Sequence, residues 1–546
     1  MSAHPATESA GEPPEDARGP RIAVSQKVAV GVVYVAGLFL STLDMTIVNV
    51  ALPTIGRAFD VPATAVDTVS ISYLVSLAVF VPVSGWLGDR FGGKRTLLTA
   101  VALFTLGSAL CGTATGLGQL VAFRVLQGIG GGMLASVGMA MLLRTFPPEE
   151  RVRASAVLSI ANGLAPTMGP VLGGILVTHV SWRAIFYVNV PIGVLAVLFG
   201  LLCLRNEPAR PAERFDLGGF LLAASGFGLL MYGISEGPEQ GWGTAPVTAA
   251  LGCGAVLAAG LTAVELRKRS PMLDLRLLRD RLFAAGTTVL TMQTVTFLGA
   301  LFTLTLYLQD ERGMTPMAAG LTTFPEAVGV VTGSQLASRV LYRRLRPRRH
   351  LMLGTGATCV VIAAMGLLLR ADTGGWLIVL LLFGMGLAVG QVFVGTQSAS
   401  FATVSSWSSG RASTLFNVGR RLGGAAGVAL ATTVLVTAGT TGPRPSPGMS
   451  GYHAAFLTLA AVNLLGLYAA TRVNDEDAAS TIPPSPSGTR QNGPDDQADN
   501  TPDQEHRQAD EQADEQADER EPGNEPGNEP DNEPDKKPEK EKEPQR

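Results

Sequence analysis

Between residues 28 and 472 the chain is a succession of apolar runs, most of them about 20 residues long, separated by short polar breaks. The runs are continuous rather than alternating, so they read as helices; a closed barrel would alternate with a period of two. At a rise of 1.5 Å per residue, about 20 residues cross roughly 30 Å of hydrocarbon. Fourteen spans are expected, at 28–50, 68–88, 96–114, 117–143, 154–178, 184–204, 216–235, 246–266, 282–308, 316–342, 351–370, 375–399, 411–438 and 453–472. The expected fold is an all-α polytopic membrane protein.

The ends are different. Residues 1–27 are polar and lack the short apolar core of a cleaved signal. From about residue 473 the chain is acidic and rich in Pro, Gln and Asn, with near-repeats such as EQADEQADE and EPGNEPGNEPDNEPD. That composition cannot bury a core, so a solvated, disordered tail is expected, with a docking or regulatory role as the alternative. The tail also hides the charge pattern of the rest. The net charge is −3, yet the breaks between spans are rich in arginine. Arg90, Lys94 and Arg95 follow the second span, Arg144, Arg151 and Arg153 the fourth, Arg205, Arg210 and Arg214 the sixth. Arg267 to Arg281 follow the eighth and Arg343 to Arg349 the tenth. The intervening breaks carry few basic residues. The positive-inside rule puts the basic breaks, and both termini, in the cytoplasm of a bacterial inner membrane. Topology accounts for these cations, so nucleic acid is not an expected partner.

No enzymatic constellation is present. There is no G-x-x-x-x-G-K-[ST] phosphate loop, no H-E-x-x-H, and none of the five histidines lies mid-span beside a nucleophile. Cys111, Cys203, Cys253 and Cys359 form no C-x-x-C pair and read as small core residues without disulfide or metal. Function must then come from polar groups inside the spans. Asp44, in LDMTIVNVALP, costs about 3 kcal/mol at mid-membrane on insertion scales. Gly37, Ser41, Asp44 and Val48 share its helix face. In the fourth span, Arg124, Gln127, Gly128 and Gly131 share a face, and Arg124 needs a carboxylate, water or carbonyl partner. The break GWLGDRFGGKR holds Gly85, Asp89, Arg90, Gly92 and Arg95; its charges can pair with other helix ends. The fifth span, SIANGLAPTMGPVLGGIL, crowds Gly163, Pro166, Gly169, Pro170, Gly173 and Gly174 together, as close packing or a hinge would require.

These stretches, in this order, resemble the major facilitator superfamily. LDMTIVNVALP, SWRAIFYVNVPIG and YLQDERGMTPMAAGLTTFP resemble its fourteen-span drug:proton antiporter branch, and the likeness covers about residues 28–472. It implies two six-helix bundles plus two extra central helices. The domains would be a disordered N-terminus at 1–27, a first bundle at 28–204, a linker with two extra spans at 205–281, a second bundle at 282–472 and the tail at 473–546. It further implies a substrate cavity between the bundles, proton coupling through Asp44 and Arg124, substrate contacts from Ser41 and Gln127, and no cofactor beyond the proton gradient. The glycines, Asp89, Arg90, Arg95, Pro170 and Arg420 would serve gating. A monomer moving small amphipathic or cationic compounds is expected.

Three features depart from the family pattern. Glu326 stands in the tenth span where a small residue is usual; it would bind a cationic substrate or a second proton, or else face water. SQLASRV, at 334–340, resembles a decayed copy of the Asp89 loop, with Ser338 in place of an acid. Arg421 follows Arg420 where an uncharged polar residue is usual; the pair would stabilise anionic groups or the inward-facing state, or else snorkel to the cytoplasmic interface. Rival functions are a dedicated exporter of one self-made metabolite, a nutrient importer, and a non-transporting scaffold or sensor working through the tail.

Overall fold

The computed structural model describes residues 24–206, 215–268, 271–405, 408–439 and 448–482. The long helices are α1 (Gln26–Phe59), α2 (Thr68–Phe91), α3 (Gly93–Thr113), α4 (Leu117–Thr145), α5 (Pro148–His179), α6 (Ala184–Cys203) and α7 (Leu217–Gln240). They continue as α8 (Ala245–Arg267), α9 (Arg281–Asp310), α10 (Pro316–Leu336), α11 (Tyr342–Leu368), α12 (Gly375–Ala399), α13 (Ser409–Gly439) and α14 (Gly448–Thr471). Among the described residues there is no strand.

Several helices outrun the apolar runs that announce them, and their ends explain why. Ser25 Oγ accepts from Val28 N at 3.4 Å and so starts α1 before the hydrophobic run. α5 opens with Pro148 in its first turn, followed by Glu149 and Glu150, which suit the positive end of the helix dipole. Such turns are helical without being apolar.

Among the described residues, thirteen stretches are long and apolar enough to cross a bilayer, against fourteen expected. The difference lies in Met317–Leu368, a stretch of 52 residues that takes in both 316–342 and most of 351–370. α10 runs into α11 through a π-helical turn, Ala337–Leu341, which lies at the end of the expected tenth span, before the polar break at 343–350. Inside α11, Arg346 leaves the helix at φ 62°, ψ 158°, directly before Pro347, which disfavours helical geometry in the residue preceding it. A straight 52-residue helix would measure about 78 Å, more than twice the hydrocarbon thickness.

α1 packs on α4, α5 and α6, and α4 also on α2 and α3. In the second half α9 packs on α13 and α14, α10 on α12, and α11 on α12 and α14. The halves meet where α5 lies on α10 and α12, and where α13 lies on α2 and α4. α7 and α8 pair with one another; α7 rests on α2 and α13, and Trp242 Nε1 donates to Thr433 Oγ1 of α13 at 2.8 Å. The outer side of α8 is bare, with Val256 71% exposed. Cys111, Cys203 and Cys359 are buried, but Cys253 is exposed on α8, which packs mainly on one side, against α7. The expectation of four core cysteines therefore fails at that position.

The chain stays folded past α14 as far as Ile482. Val473 and Ala478 are buried beside Leu282, Leu351 and Val392, Tyr342 and Thr481 share a hydroxyl hydrogen bond of 2.8 Å, and Asp475 accepts from Arg348 N at 2.7 Å. The expected tail thus begins with a folded segment, 473–482, anchored by the buried Val473, Ala478 and Thr481. The rest of that segment lies outside the described residues, as do 1–23.

Candidate functional site

Asp44, on α1, is completely buried, and its two carboxylate oxygens are held separately. Oδ2 accepts from Arg124 Nη1 of α4 at 2.5 Å; Oδ1 accepts from Gln127 Nε2 at 2.8 Å and Asn189 Nδ2 of α6 at 3.3 Å. Arg124 is also buried. It donates to Gln127 Oε1 at 2.8 Å and, through Nε, to Val69 O at 3.2 Å, and its guanidinium lies 4.2 Å from the Tyr73 ring centroid. Tyr73 closes the loop back to α1 by bonding Ser41 Oγ at 3.1 Å. The three-residue step from Arg124 to Gln127 aims both side chains at one carboxylate. Asp44, Arg124 and Gln127 are therefore brought together and Ser41 adjoins them, with the polar atoms of Ser41 and Gln127 engaged inside this network. Asn189 and Tyr73 were not singled out from sequence. An amide alone in the apolar run FYVNVPIG was the available signal for Asn189; Tyr73 left none.

A second set of contacts ties the halves together at the arginine-rich face. Asp89 of α2 accepts from Arg144 Nη2 of α4 at 2.6 Å, and Arg144 Nε reaches Ser409 Oγ, at the start of α13, at 3.1 Å. A Cβ placed on Gly410 would lie 3.5 Å from Asp89 Oδ2, so the acid sits at the N-terminus of α13, where the helix dipole favours it. Gly85 faces Thr414 of α13. Gly92 turns the chain between α2 and α3 at φ 85°, a conformation other residues rarely adopt. Arg151 Nη1 adds a bond to Phe401 O at 3.0 Å. Arg90 and Arg95 are exposed, so Asp89 makes the cross-helix pairing expected of this loop. In the second half Ser338 bonds, among the described residues, only its own turn, through Gln335 O at 3.1 Å.

The glycine- and proline-rich part of α5 lies between α1 and α10. A Cβ on Gly169 would come within 2.0 Å of Thr46 Oγ1, two residues beyond Asp44, so this close approach of α5 to α1 requires glycine. Gly173 faces Ile47 and Val50 on the same side. On the other side Gly163 meets Val330, Pro170 meets Gly320, and Gly174 meets Met317, all of α10. Glu326 of α10 is fully buried rather than water-facing. Its Oε2 accepts from Thr167 Oγ1 of α5 at 2.9 Å, and Oε1 has no hydrogen-bond partner among the described residues. On α13, Arg420 donates to Asn417 Oδ1 at 3.1 Å, and Arg421 Nη1 points at Met45 Sδ of α1, 3.1 Å away.

A membrane-embedded helical bundle whose two halves meet around buried charge is the architecture of a secondary transporter. The sequence profile of the Major Facilitator Superfamily matches residues 34–428, and the chain belongs to that family. It is 33% identical over 404 residues to the tetracenomycin C resistance and export protein of Streptomyces glaucescens, covering 74% of each chain. It is 35% identical over 404 residues to the multidrug resistance protein Stp of Mycobacterium tuberculosis, covering 73% of this chain and 74% of the relative. Its fold is similar to that of the human organic anion transporter MFSD10, with a TM-score of 0.59 at 16% identity over 82% of this chain and all of that one. The proton:xylose symporter XylE shares it at a TM-score of 0.57 and 13% identity, over 81% and 94% of the two chains. The chain is thus a multi-pass membrane transporter of small molecules and not an enzyme.

Proposed function

We propose that this transporter is a proton-coupled antiporter that exports small amphipathic, toxic compounds or antibiotics from the bacterial cytoplasm. The observation that carries this reading is Asp44, buried without solvent and bound to Arg124, Gln127 and Asn189. A proton arriving at Asp44 removes the charge that holds Arg124, and its departure restores the pair. Protonation then favours one packing of α1 against α4 and deprotonation another, which is the differential affinity that alternating access needs. α5 carries the change onward, because its packed segment touches α1 next to Asp44 and α10 next to Glu326. The spare oxygen of Glu326 suits a cationic group on the substrate. One proton crossing 100 mV releases about 2.3 kcal/mol, enough for roughly a fifty-fold gradient of a neutral substrate at one-to-one exchange. The drive is the proton gradient, with no bound cofactor.

In this reading the break at Arg346 divides Met317–Leu368 into two spans, giving fourteen, with both termini in the cytoplasm of the inner membrane. α1–α6 and α9–α14 act as the two moving bundles, and α7 and α8 are the inserted pair. A second reading, export of one self-made metabolite, is favoured by the similarity to a tetracenomycin C export protein. Dye-loaded cells expressing the full chain test the class: efflux that stops on adding a protonophore supports antiport, whereas efflux indifferent to it contradicts antiport. Loss of efflux on removing residues 484–546 alone would favour the scaffold reading.

A further inference from the structure

Arg421 stands on α13 twelve residues past Ser409, about 18 Å along the helix from the arginine-rich face. It does not snorkel. Nη1 is turned toward Met45 Sδ of α1, beside the Asp44 pair, while Nε and Nη2 are shut off from solvent and have no hydrogen-bond partner among the described residues. Those two nitrogens form one edge of the guanidinium, the edge that meets a carboxylate through two parallel hydrogen bonds. A charged group left in this condition is costly, and in a native structure its open donors need an account. Arg421 also lines a cavity of about 10 Å³, room for one water in this closed arrangement, with Ala78 and Val81 of α2, Phe227 of α7 and Val418 and Leu422 of α13. The walls are apolar and the only charge is positive. The cavity lies where the first half, the second half and the inserted helix pair meet.

We propose that, when α13 parts from α2 and α7 and the cavity widens, the Nε–Nη2 edge of Arg421 is a substrate-recognition site for the carboxylate, enolate or phenolate group of an amphipathic compound whose apolar body lies against Phe227, Val81 and Val418. The proposal rests on the export reading and extends its substrate class from cationic compounds to acidic and zwitterionic ones. It also gives α7 a function: one wall of the site comes from a helix outside both bundles. Because Nη1 contacts the residue after Asp44, an anion held by the opposite edge of the same guanidinium acts on the segment of α1 that carries the proton.

The test is binding, which needs no proton gradient. The full chain in lipid nanodiscs is titrated with 1-pyrenecarboxylate and with its uncharged methyl ester, for wild type, Arg421→Gln and Arg421→Lys, with thermal melting followed in parallel. The expected result is at least a tenfold preference of wild type for the carboxylate. Arg421→Gln loses the preference while still binding the ester, and Arg421→Lys retains part of it. A purely structural Arg421 would lower the melting temperature in Arg421→Gln and leave the carboxylate preference intact, which overturns the proposal. So does a wild type that binds neither probe, or both equally. Failure here with protonophore-sensitive efflux intact removes the anion site alone; failure of that efflux with the preference present removes antiport alone.

Discussion

Arg124 Nη1 lies 2.5 Å from Asp44 Oδ2, on neighbouring helices, with both side chains out of contact with solvent. Breaking a buried pair by neutralising one partner leaves the other charge unsatisfied, at a cost of about 3–5 kcal/mol. Asp44→Asn in the purified chain is therefore expected to melt well below wild type. Arg124→Gln added to it should restore much of the loss, because no lone charge remains. Thermal melting of the two variants in one detergent checks this. Additive losses would mean that the two residues are not coupled.

The link from Asp89 through Arg144 to Ser409 joins the halves at the arginine-rich face. It is partly exposed, with side-chain exposures of 11% for Arg144 and 19% for Asp89, so a contribution of roughly 1 kcal/mol is expected. Arg144→Gln should shift the chain toward the state open at that face. A cysteine at Ala140, which lines the small cavity beneath the link, should then react about fivefold faster with a membrane-impermeant maleimide. An unchanged rate would show that other contacts hold the face shut.

Glu326→Gln keeps a side-chain oxygen for Thr167 and removes the charge, so the fold should be retained. Efflux of monocationic compounds is expected to fall at least tenfold while efflux of neutral ones stays within twofold, as compared in loaded cells. An equal loss for both classes would point instead to a part in coupling.

The element types were legible because each span is a continuous apolar run, and the Asp44–Arg124 pair because each is a lone charge in such a run. Other features left weaker traces. Asn189 and Tyr73 are ordinary residues whose role comes from which helices touch, and no spacing along one helix reveals that. The thirteen helical stretches among the described residues differ from the fourteen expected because α10 and α11 adjoin through the turn at Ala337–Leu341 and the polar break is reduced to a kink at Arg346, so that two expected spans run together as Met317–Leu368. Residues 473–482 looked like the start of a solvated tail, since their few apolar side chains, Val473 and Ala478 among them, find partners only in the folded protein.

Arg346 decides the topology of the second half. If the break there returns the chain to the arginine-rich face, Arg346→Cys should be labelled from the same side of the membrane as Arg90→Cys. Labelling of oriented vesicles with an impermeant maleimide reads this directly. Protection of Arg346→Cys from both sides would mean that the break lies inside the membrane and that fourteen spans is the wrong count.

The central claim is that Asp44 exchanges a proton for substrate, and the most direct measurement is proton movement itself. Inside-out vesicles carrying the full chain are energised to an acidic interior, and candidate compounds are added one at a time while the pH gradient is followed, with wild type beside Asp44→Asn. The predicted result is that at least one compound dissipates the gradient in wild type and has no effect in the variant at matched protein levels. Equal dissipation in both, or none by any cationic, neutral or acidic compound in wild type, would contradict proton-coupled export through Asp44.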